Sequence, residues 1–179
     1  YQVNPGLRNS SLSWQVAGLF TLVVPWVMLM ALREAPGFGA RYVLFLLLLI
    51  WVADSGAYLV GRRWGRRKLA PHASPGKSIE GAMAGLVGSV VAAVAVLAWT
   101  QGALPGAGPG AAVAAGLGVA LGVAAQIGDL AESVLKRQAG VKDSGRILPG
   151  HGGVLDRLDA LLFAFPLAYL LLRLPGVLG

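Results

Sequence analysis

The sequence has no cysteine, only two histidines and few charged residues, and each shortage excludes a class of site. Without cysteine there is no disulfide and no thiol catalysis. The absence of cysteine does not identify the cellular compartment. His72 and His151 are the two histidines, and this small number argues against a zinc centre. Charged residues make up 13% of the chain, well below the roughly 25% that is usual in soluble domains.

Apolar residues fill most of the chain instead. They account for 56% of it, and the mean hydropathy is +0.68, which is typical of an integral membrane protein. We predict an all-α fold, a polytopic transmembrane helix bundle with about five spans in a single transmembrane domain, residues 1–179. The predicted spans are about 12–32, 42–60, 79–99, one that starts near residue 111 and continues as helix through Lys136, and 156–172. The chain begins at Tyr1 rather than at Met, so we expect an N-terminal portion to be missing.

Basic residues indicate how the spans are oriented. The loops after spans two and four carry eleven of the fifteen basic residues, and the loop after span three carries none. Because Lys and Arg concentrate on the cytoplasmic side of membrane proteins, both basic loops should face the cytoplasm. The net charge of +7 does not by itself indicate nucleic acid, since no aromatic residues interleave with the basic ones in a binding pattern. We therefore expect no nucleic-acid partner.

The acidic residues gather at the ends of predicted spans. Asp54 lies in the last two turns of span two, and the stretch 126–159 holds five of the eight acids. Charges beside a membrane span are costly unless they are paired, hydrated or bound to a ligand, so they indicate function. The alternatives are an ordinary aspartate at a wet helix end for Asp54 and helix capping for Asp156 and Asp159.

Two of these helix ends could together hold a metal ion. Asp129, Glu132 and Lys136 share one face of span four, although Glu132 and Lys136 could equally be an ordinary i,i+4 pair. Asp156 and Asp159 lie one turn apart at the start of span five. Oxygen-only ligation suits Mg²⁺, which usually keeps water and substrate phosphate among its ligands. These residues predict a membrane enzyme with a cytoplasm-facing Mg²⁺ and phosphate site that acts on something phosphorylated and lipidic.

A short segment before span three adds a possible phosphate contact. In Ser74-Pro75-Gly76-Lys77-Ser78, small residues let the backbone approach a phosphate, while Lys77 supplies charge and Ser74 or Ser78 a hydroxyl. It is not a P-loop, because Pro71 stands where that motif needs a glycine and we expect no strand before it. The alternative is that the basic loop 61–77 is an anchor on anionic lipid headgroups.

At these residues the sequence resembles the phosphatidate cytidylyltransferase (CDP-diacylglycerol synthase) family, bacterial type. The family signature extends over the 27 positions 133–159, and a second block is similar from Asp54 to Gly81. The matching signature residues are Ser133, Lys136, Arg137, Lys142, Asp143, Gly145, Pro149, His151, Gly152, Gly153, Asp156, Arg157 and Asp159. Family members usually have more N-terminal spans, so the resemblance implies that this chain is the C-terminal part of a longer one.

The resemblance implies a nucleotidyltransferase that makes CDP-diacylglycerol and pyrophosphate from CTP and phosphatidic acid in phospholipid biosynthesis. It implies an integral protein of the bacterial inner membrane that contacts membrane lipid, with its active site facing the cytoplasm. By the resemblance, Asp129 and Asp156 bind Mg²⁺, with K⁺ as a candidate second cation. Its implied catalytic residues are Lys136, Arg137, Lys142, Asp143, Arg157 and Asp159, and its implied substrate-binding residues are Asp54, Ser74, Lys77, Ser78 and His151.

Two other functions are open at this point. A cation transporter or channel would place its acids in the middle of the spans, whereas these lie at helix ends on one side. Another CTP-dependent lipid enzyme, such as a polyprenol kinase, is a second alternative, and the intact signature argues against it. Small-residue helix faces, such as the Gly81 and Gly85 pair, favour close helix packing and make a homodimer a candidate assembly.

Overall fold

The computed structural model of the protein describes residues 11–35, 39–101, 110–145 and 155–173. These residues form five helices, which are α1 (Ser11–Arg33), α2 (Gly39–Trp64), α3 (Ile79–Gln101), α4 (Ala111–Gln138) and α5 (Leu155–Leu172). The predicted helical bundle is confirmed, and α4 does continue through Lys136. Helix α2 is longer than the predicted span at both ends.

Three of the five helices are long and apolar enough to cross a membrane. Their qualifying segments are Gly39–Trp64, Ile79–Val96 and Ala111–Gln138, while α1 and α5 contain shorter apolar stretches, Leu22–Arg33 and Leu158–Leu172. A stretch of about 20 apolar residues is what a bilayer core requires. The chain is therefore a helical membrane protein, and three spans rather than five meet the length and composition criteria within the described residues.

A small β-hairpin interrupts the helices, which the all-α prediction did not include. Strand β1 (Lys68–Ala70) pairs antiparallel with strand β2 (Ser74–Ser78), so that Lys68 lies opposite Ser78. The expectation that no strand precedes the 74–78 segment was wrong, although Pro71 still excludes a P-loop there. The hairpin connects the end of α2 directly to the start of α3.

The helices pack in a closed ring. Each helix packs against the next one along the chain, and α1 completes the ring by packing on α5 and α2. Leu46, Leu49, Leu121 and Phe165 are fully buried in the centre of this ring. Because α2, α3 and α4 are successive neighbours, the C-terminal end of α2, the hairpin and the C-terminal half of α4 lie side by side.

Glycines allow α3 to approach both of its neighbours closely, as the small-residue spacing predicted. A Cβ atom on Gly85 would lie 3.0 Å from the carbonyl oxygen of Ala53 in α2, and one on Gly81 only 2.7 Å from that of Ala57. Between α3 and α4, the hydroxyl of the buried Ser89 donates to the carbonyl oxygen of Gly118 at 2.9 Å. These contacts hold the three helices at the separation that shapes the site.

Two glycines of α4 provide a matched test of this packing. A Cβ atom on Gly118 would lie 2.7 Å from the Cα of Val90 and 2.9 Å from the carbonyl oxygen of Ser89. A Cβ atom on Gly116 would have no neighbouring atom within 4 Å among the described residues. We expect Gly118→Ala to destabilise the protein by about 1–3 kcal/mol, because two backbones must separate. Gly116→Ala should be neutral or stabilising by up to about 1 kcal/mol, since alanine favours helix. Thermal unfolding in detergent measures both, and equal melting temperatures would contradict this packing.

Candidate active site

The hairpin is fixed to the start of α3 by a set of hydrogen bonds. The carboxylate of Glu80 accepts the backbone N–H groups of Arg66 and Arg67 at 3.1 and 3.3 Å. In return, the N–H of Ile79 donates to the carbonyl oxygen of Arg67 at 2.9 Å. Glu80 lies in the first turn of α3, where an acid suits the helix dipole. The structure shows that it also ties down the turn that precedes β1.

Ser78 ends the hairpin and begins α3. Its hydroxyl accepts the N–H of Gly81 at 3.1 Å, which is the usual geometry of a helix N-cap, and the residue is buried. Gly65 packs directly against it, since a Cβ atom there would lie 2.5 Å from the Ser78 hydroxyl. Ser78 was predicted to bind substrate, and the structure gives its hydroxyl a capping partner as well as a place in the cavity wall.

A cavity of about 570 Å³ lies where α2, the hairpin, α3 and α4 meet. Five of the residues predicted from the sequence to form the site line this one cavity, although they come from three separate segments of the chain. These residues are Asp54, Ser74, Lys77, Ser78 and Asp129. Ala57, Leu69, Ala82 and Leu130 add apolar surface to the same walls. A cavity with both apolar walls and a few convergent charges is what a small-molecule or cofactor site requires.

An ion pair between the hairpin and α4 occupies the polar end of the cavity. Lys77 Nζ lies 2.5 Å from Asp129 Oδ1, and both side chains are partly buried. Asp54 is close enough to interact electrostatically with both of them. On the other side, the carboxyl group of Asp159 in α5 is within hydrogen-bonding reach of that of Asp129. Lys77 thus lies near the carboxyl groups of Asp54 and Asp129, and Asp159 adds a third acid beside Asp129.

This acidic set fits a hard divalent cation. Two ionised carboxylates cannot face each other at close range without a proton or a positive charge between them. Asp129 and Asp159 could supply oxygen ligands from two helices, since Mg²⁺ typically takes one or two carboxylates with water and substrate phosphates. Within the described ranges, no group of three or more His, Asp or Glu side chains is arranged to hold a metal. Any ion here would therefore depend on ligands from the substrate.

A second charged cluster lies one turn along α4. Lys136 forms ion pairs with Glu132, four residues earlier, and with Asp156 of α5, where Nζ lies 2.6 Å from Oδ1. Glu132 and Asp156 also face each other closely. Helices α4 and α5 are thus in antiparallel register, with Asp129 opposite Asp159 and Glu132 opposite Asp156. Glu132 and Lys136 do form the ordinary i,i+4 pair that the sequence allowed.

Asp156 also fastens the segment that follows α4. Gly140, whose φ of 72° suits glycine, ends the helix and turns the chain back towards α5. The N–H and the hydroxyl of Ser144 then both donate to Asp156, at 2.9 and 3.0 Å from Oδ2. Asp156 therefore has Lys136, Ser144 and Glu132 among its partners, and Asp129 has Lys77 and Asp159 among its own. The Asp129–Asp156 metal pair stays a prediction, and Asp159 is the acid of α5 that contacts Asp129.

The remaining predicted residues lie outside the cavity walls or outside the described residues. Arg137 donates to the carbonyl oxygen of Ala73 at 3.2 Å, so it braces the end of α4 against the hairpin turn. Lys142 and Asp143 are exposed after α4. Arg157 lies in the first turn of α5, but its side chain is not among the described ones, and His151 falls outside the described residues altogether.

Three cavity residues were missed from the sequence. Tyr58 and Arg62 follow Asp54 at intervals of four residues on α2, and this spacing could have identified them. Gln126 lies one turn before Asp129 and donates to the carbonyl oxygen of Ala82 at 2.9 Å, so it joins α4 to α3 beside the cavity. A polar side chain on the same face as a predicted site residue was the signal in each case.

Comparisons with known proteins identify the family. A family model described as the cytidylyltransferase family matches residues 5–175. The chain is 41% identical over 143 residues to a protein of Staphylococcus saprophyticus named phosphatidate cytidylyltransferase, covering 80% of this chain and 53% of that one. It is 38% identical over 173 residues to a Bacillus subtilis protein of the same name, covering 94% and 62%. The chain thus spans little more than half the length of these relatives.

Proposed function

This chain belongs to the cytidylyltransferase family, and we propose that it transfers a cytidylyl group from CTP to phosphatidic acid, giving CDP-diacylglycerol and pyrophosphate. The observation that carries this proposal is the cavity in which Lys77 of the hairpin meets Asp129 of α4. The names of the relatives support the same reaction. They offer no support for the cation-transporter and polyprenol-kinase alternatives.

The reaction requires charge balance and positioning more than covalent chemistry. A phosphate oxygen of phosphatidic acid attacks the α-phosphorus of CTP, and the bond from that phosphorus to the bridging β-phosphate oxygen breaks. Asp129, together with Asp156 or Asp159, would hold Mg²⁺, which supplies positive charge beside the triphosphate when it is bound. K⁺ remains a candidate second cation.

Lys77 would balance the charge of the phosphates, whereas Lys136 would hold two helices together. Lys77 reaches into the cavity from β2, and its ion pair with Asp129 keeps the ammonium group in place before a substrate enters. Ser74, on the same strand, adds a hydroxyl to the same wall. Lys136 serves Glu132 and Asp156 in the second cluster, where it would keep α5 in register with α4. Arg137 would act indirectly, by holding the hairpin turn.

We further propose a bacterial inner-membrane location with the cavity opening towards the cytoplasm. The excess of Lys and Arg in the segments after α2 and α4 supports this orientation. The hydrogen bond from Arg137 to Ala73 supports it too, because it joins those two basic segments at one end of the bundle.

A homodimer stays a prediction. Of the glycines that suggested it, Gly81 and Gly85 approach α2, while Gly118 and Gly122 approach α3. These glycines therefore allow close packing between helices of one chain. Membrane lipid, as the solvent of the apolar outer surface and the source of phosphatidic acid, is proposed as the main partner.

An assay with purified protein in mixed micelles tests the reaction. With CTP labelled in its cytidine ring, phosphatidic acid and Mg²⁺, we expect label in a chloroform-soluble product and one pyrophosphate released per labelled lipid. Leaving out phosphatidic acid or Mg²⁺ should abolish both. Because the chain covers only part of its relatives' length, the same assay should be run on the longest available form of the protein. Transfer of the γ-phosphate of ATP to a polyprenol, with no lipid-linked cytidine, would overturn the proposal in favour of a kinase.

A further inference from the structure

One arginine at the end of α2 differs from its basic neighbours in where it lies. The segment 61–68 is fully described and contains five basic residues, of which Arg62 lines the cavity. Arg63, Arg66, Arg67 and Lys68 are not among the residues that line it. A general attraction to anionic lipid would apply to all five alike, so it does not account for this placement.

Tyr58 holds the Arg62 side chain in place. Arg62 Nη1 donates to the Tyr58 hydroxyl at 3.0 Å, and the guanidinium carbon lies 6.0 Å from the centre of the tyrosine ring. The neighbouring Arg63 lies instead over the ring of Trp64, at 5.2 Å. Since a guanidinium group has five N–H donors, its bond to Tyr58 leaves several for a ligand. The Tyr58 hydroxyl accepts this bond and can donate its own hydrogen to a phosphate oxygen.

The position of this pair along α2 indicates which ligand it meets. Asp54, Tyr58 and Arg62 share one face of the helix, and at about 1.5 Å per residue Arg62 lies about 12 Å further along the axis than Asp54. Helix α2 ends in Arg62, Arg63 and Trp64 after a long apolar run, a sequence typical of the membrane–water interface. The phosphates of lipids lie at that level. The cavity therefore has Arg62 at an interfacial rim and Asp54 deeper along the same helix face.

We propose that Arg62, oriented by Tyr58, binds the phosphate of the lipid substrate at the rim of the cavity. This inference rests on the proposed function and assigns its two substrates to different side chains of one cavity. The planar guanidinium group matches the oxygens of a phosphate monoester, and a neutral or singly charged phosphodiester headgroup would bind less well. The nucleotide phosphates are assigned to the Lys77 and Asp129 pair, which lines the same cavity.

Steady-state kinetics of three variants test this assignment. We expect Arg62→Ala to raise the KM for phosphatidic acid at least about tenfold, because a charge-assisted hydrogen bond is lost, with kcat and the KM for CTP nearly unchanged. Arg62→Lys should restore only part of the loss, since lysine cannot bind in a bidentate manner. Arg63→Ala is the matched control, with the same charge removed one residue away, and should behave as the wild type. Equal effects of Arg62→Ala and Arg63→Ala, or a rise in the KM for CTP alone, would overturn the assignment.

A binding measurement separates this inference from the proposed reaction. Titration calorimetry with a short-chain phosphatidic acid in detergent micelles needs no CTP and no turnover. We expect wild type and Arg63→Ala to bind it with similar affinity, Arg62→Ala to bind at least about tenfold more weakly, and phosphatidylcholine of the same chains to show no such difference. If wild type fails to make CDP-diacylglycerol yet shows this pattern, the reaction is wrong and the phosphate site stands. If Arg62→Ala binds as well as wild type, the site is wrong whatever the enzyme does.

Discussion

Replacing Asp129 by Asn should lower the rate of CDP-diacylglycerol formation by at least about a hundredfold, which is the usual loss when one preorganised charge is removed from an active site. Asp129 contacts Lys77 from the hairpin and Asp159 from α5, and it lies near Asp54 of α2. Asparagine has nearly the same shape, so the helices should stay packed. It lacks the negative charge that pairs with Lys77. A divalent cation requires the same charge on its ligand.

The measurement is kcat at saturating CTP and phosphatidic acid, with the melting temperature recorded for each variant. Glu34→Gln is the matched control, because Glu34 is an exposed acid in the turn before α2, at the opposite end of that helix from the cavity. Asp129→Asn should melt near the wild-type temperature and yet be nearly inactive, while Glu34→Gln should keep full activity. An active Asp129→Asn enzyme would remove this residue from the reaction.

Replacing Lys136 by Met should destabilise the protein by about 3–5 kcal/mol, the cost usually seen when one partner of a buried ion pair is removed. The exposed fractions of the three side chains are 18% for Lys136, 7% for Glu132 and 10% for Asp156. Without the lysine, two carboxylates that face each other would lack their shared counter-charge. Their repulsion would push α4 and α5 apart.

Thermal unfolding in detergent measures this effect, and we expect the midpoint to fall by about 6 °C or more. Adding Glu132→Gln to Lys136→Met removes one of the two carboxylate charges and should recover part of the loss. A partial recovery would identify charge repulsion as the cause. An unchanged melting temperature for Lys136→Met would show that the cluster contributes little to the stability of the bundle.

The sequence predicted the helices well because their signals are local. Long apolar runs ended by charged or Gly-rich segments placed α1, α3, α4 and α5 within a few residues of their observed bounds. Charge asymmetry also placed the two basic segments together, and the bond from Arg137 to Ala73 is consistent with this. These properties depend on composition along the chain, which a single sequence contains.

The hairpin was missed because contacts from elsewhere in the chain hold it. The segment 68–78 contains Pro71, Pro75 and Gly76 and lacks the alternation of apolar and polar residues that usually identifies a strand. Glu80 fixes its first turn and Arg137 braces its tip. Arg137 comes from a distant helix, so a window of sequence around the hairpin lacks one of the contacts that hold it.

The pairing of acids between α4 and α5 could not be predicted from the sequence for a similar reason. Each helix carries two acids one turn apart, and several registers would bring some pair together. The observed register follows the close approach at Gly128, where a Cβ atom would lie 2.7 Å from the carbonyl oxygen of Asp159 and 3.0 Å from the ring of Phe163. That fit places Asp129, rather than Glu132, opposite Asp159.

The account depends most on the claim that the hairpin and α4 form one site through Lys77 and Asp129. A double-mutant cycle on kcat/KM for CTP, using Lys77→Met, Asp129→Asn and the combined variant, measures this coupling. We expect each single change to lower kcat/KM strongly and the double variant to lose no more than the worse single one. If the two losses multiply instead, Lys77 and Asp129 act independently, and the shared site proposed here would be contradicted.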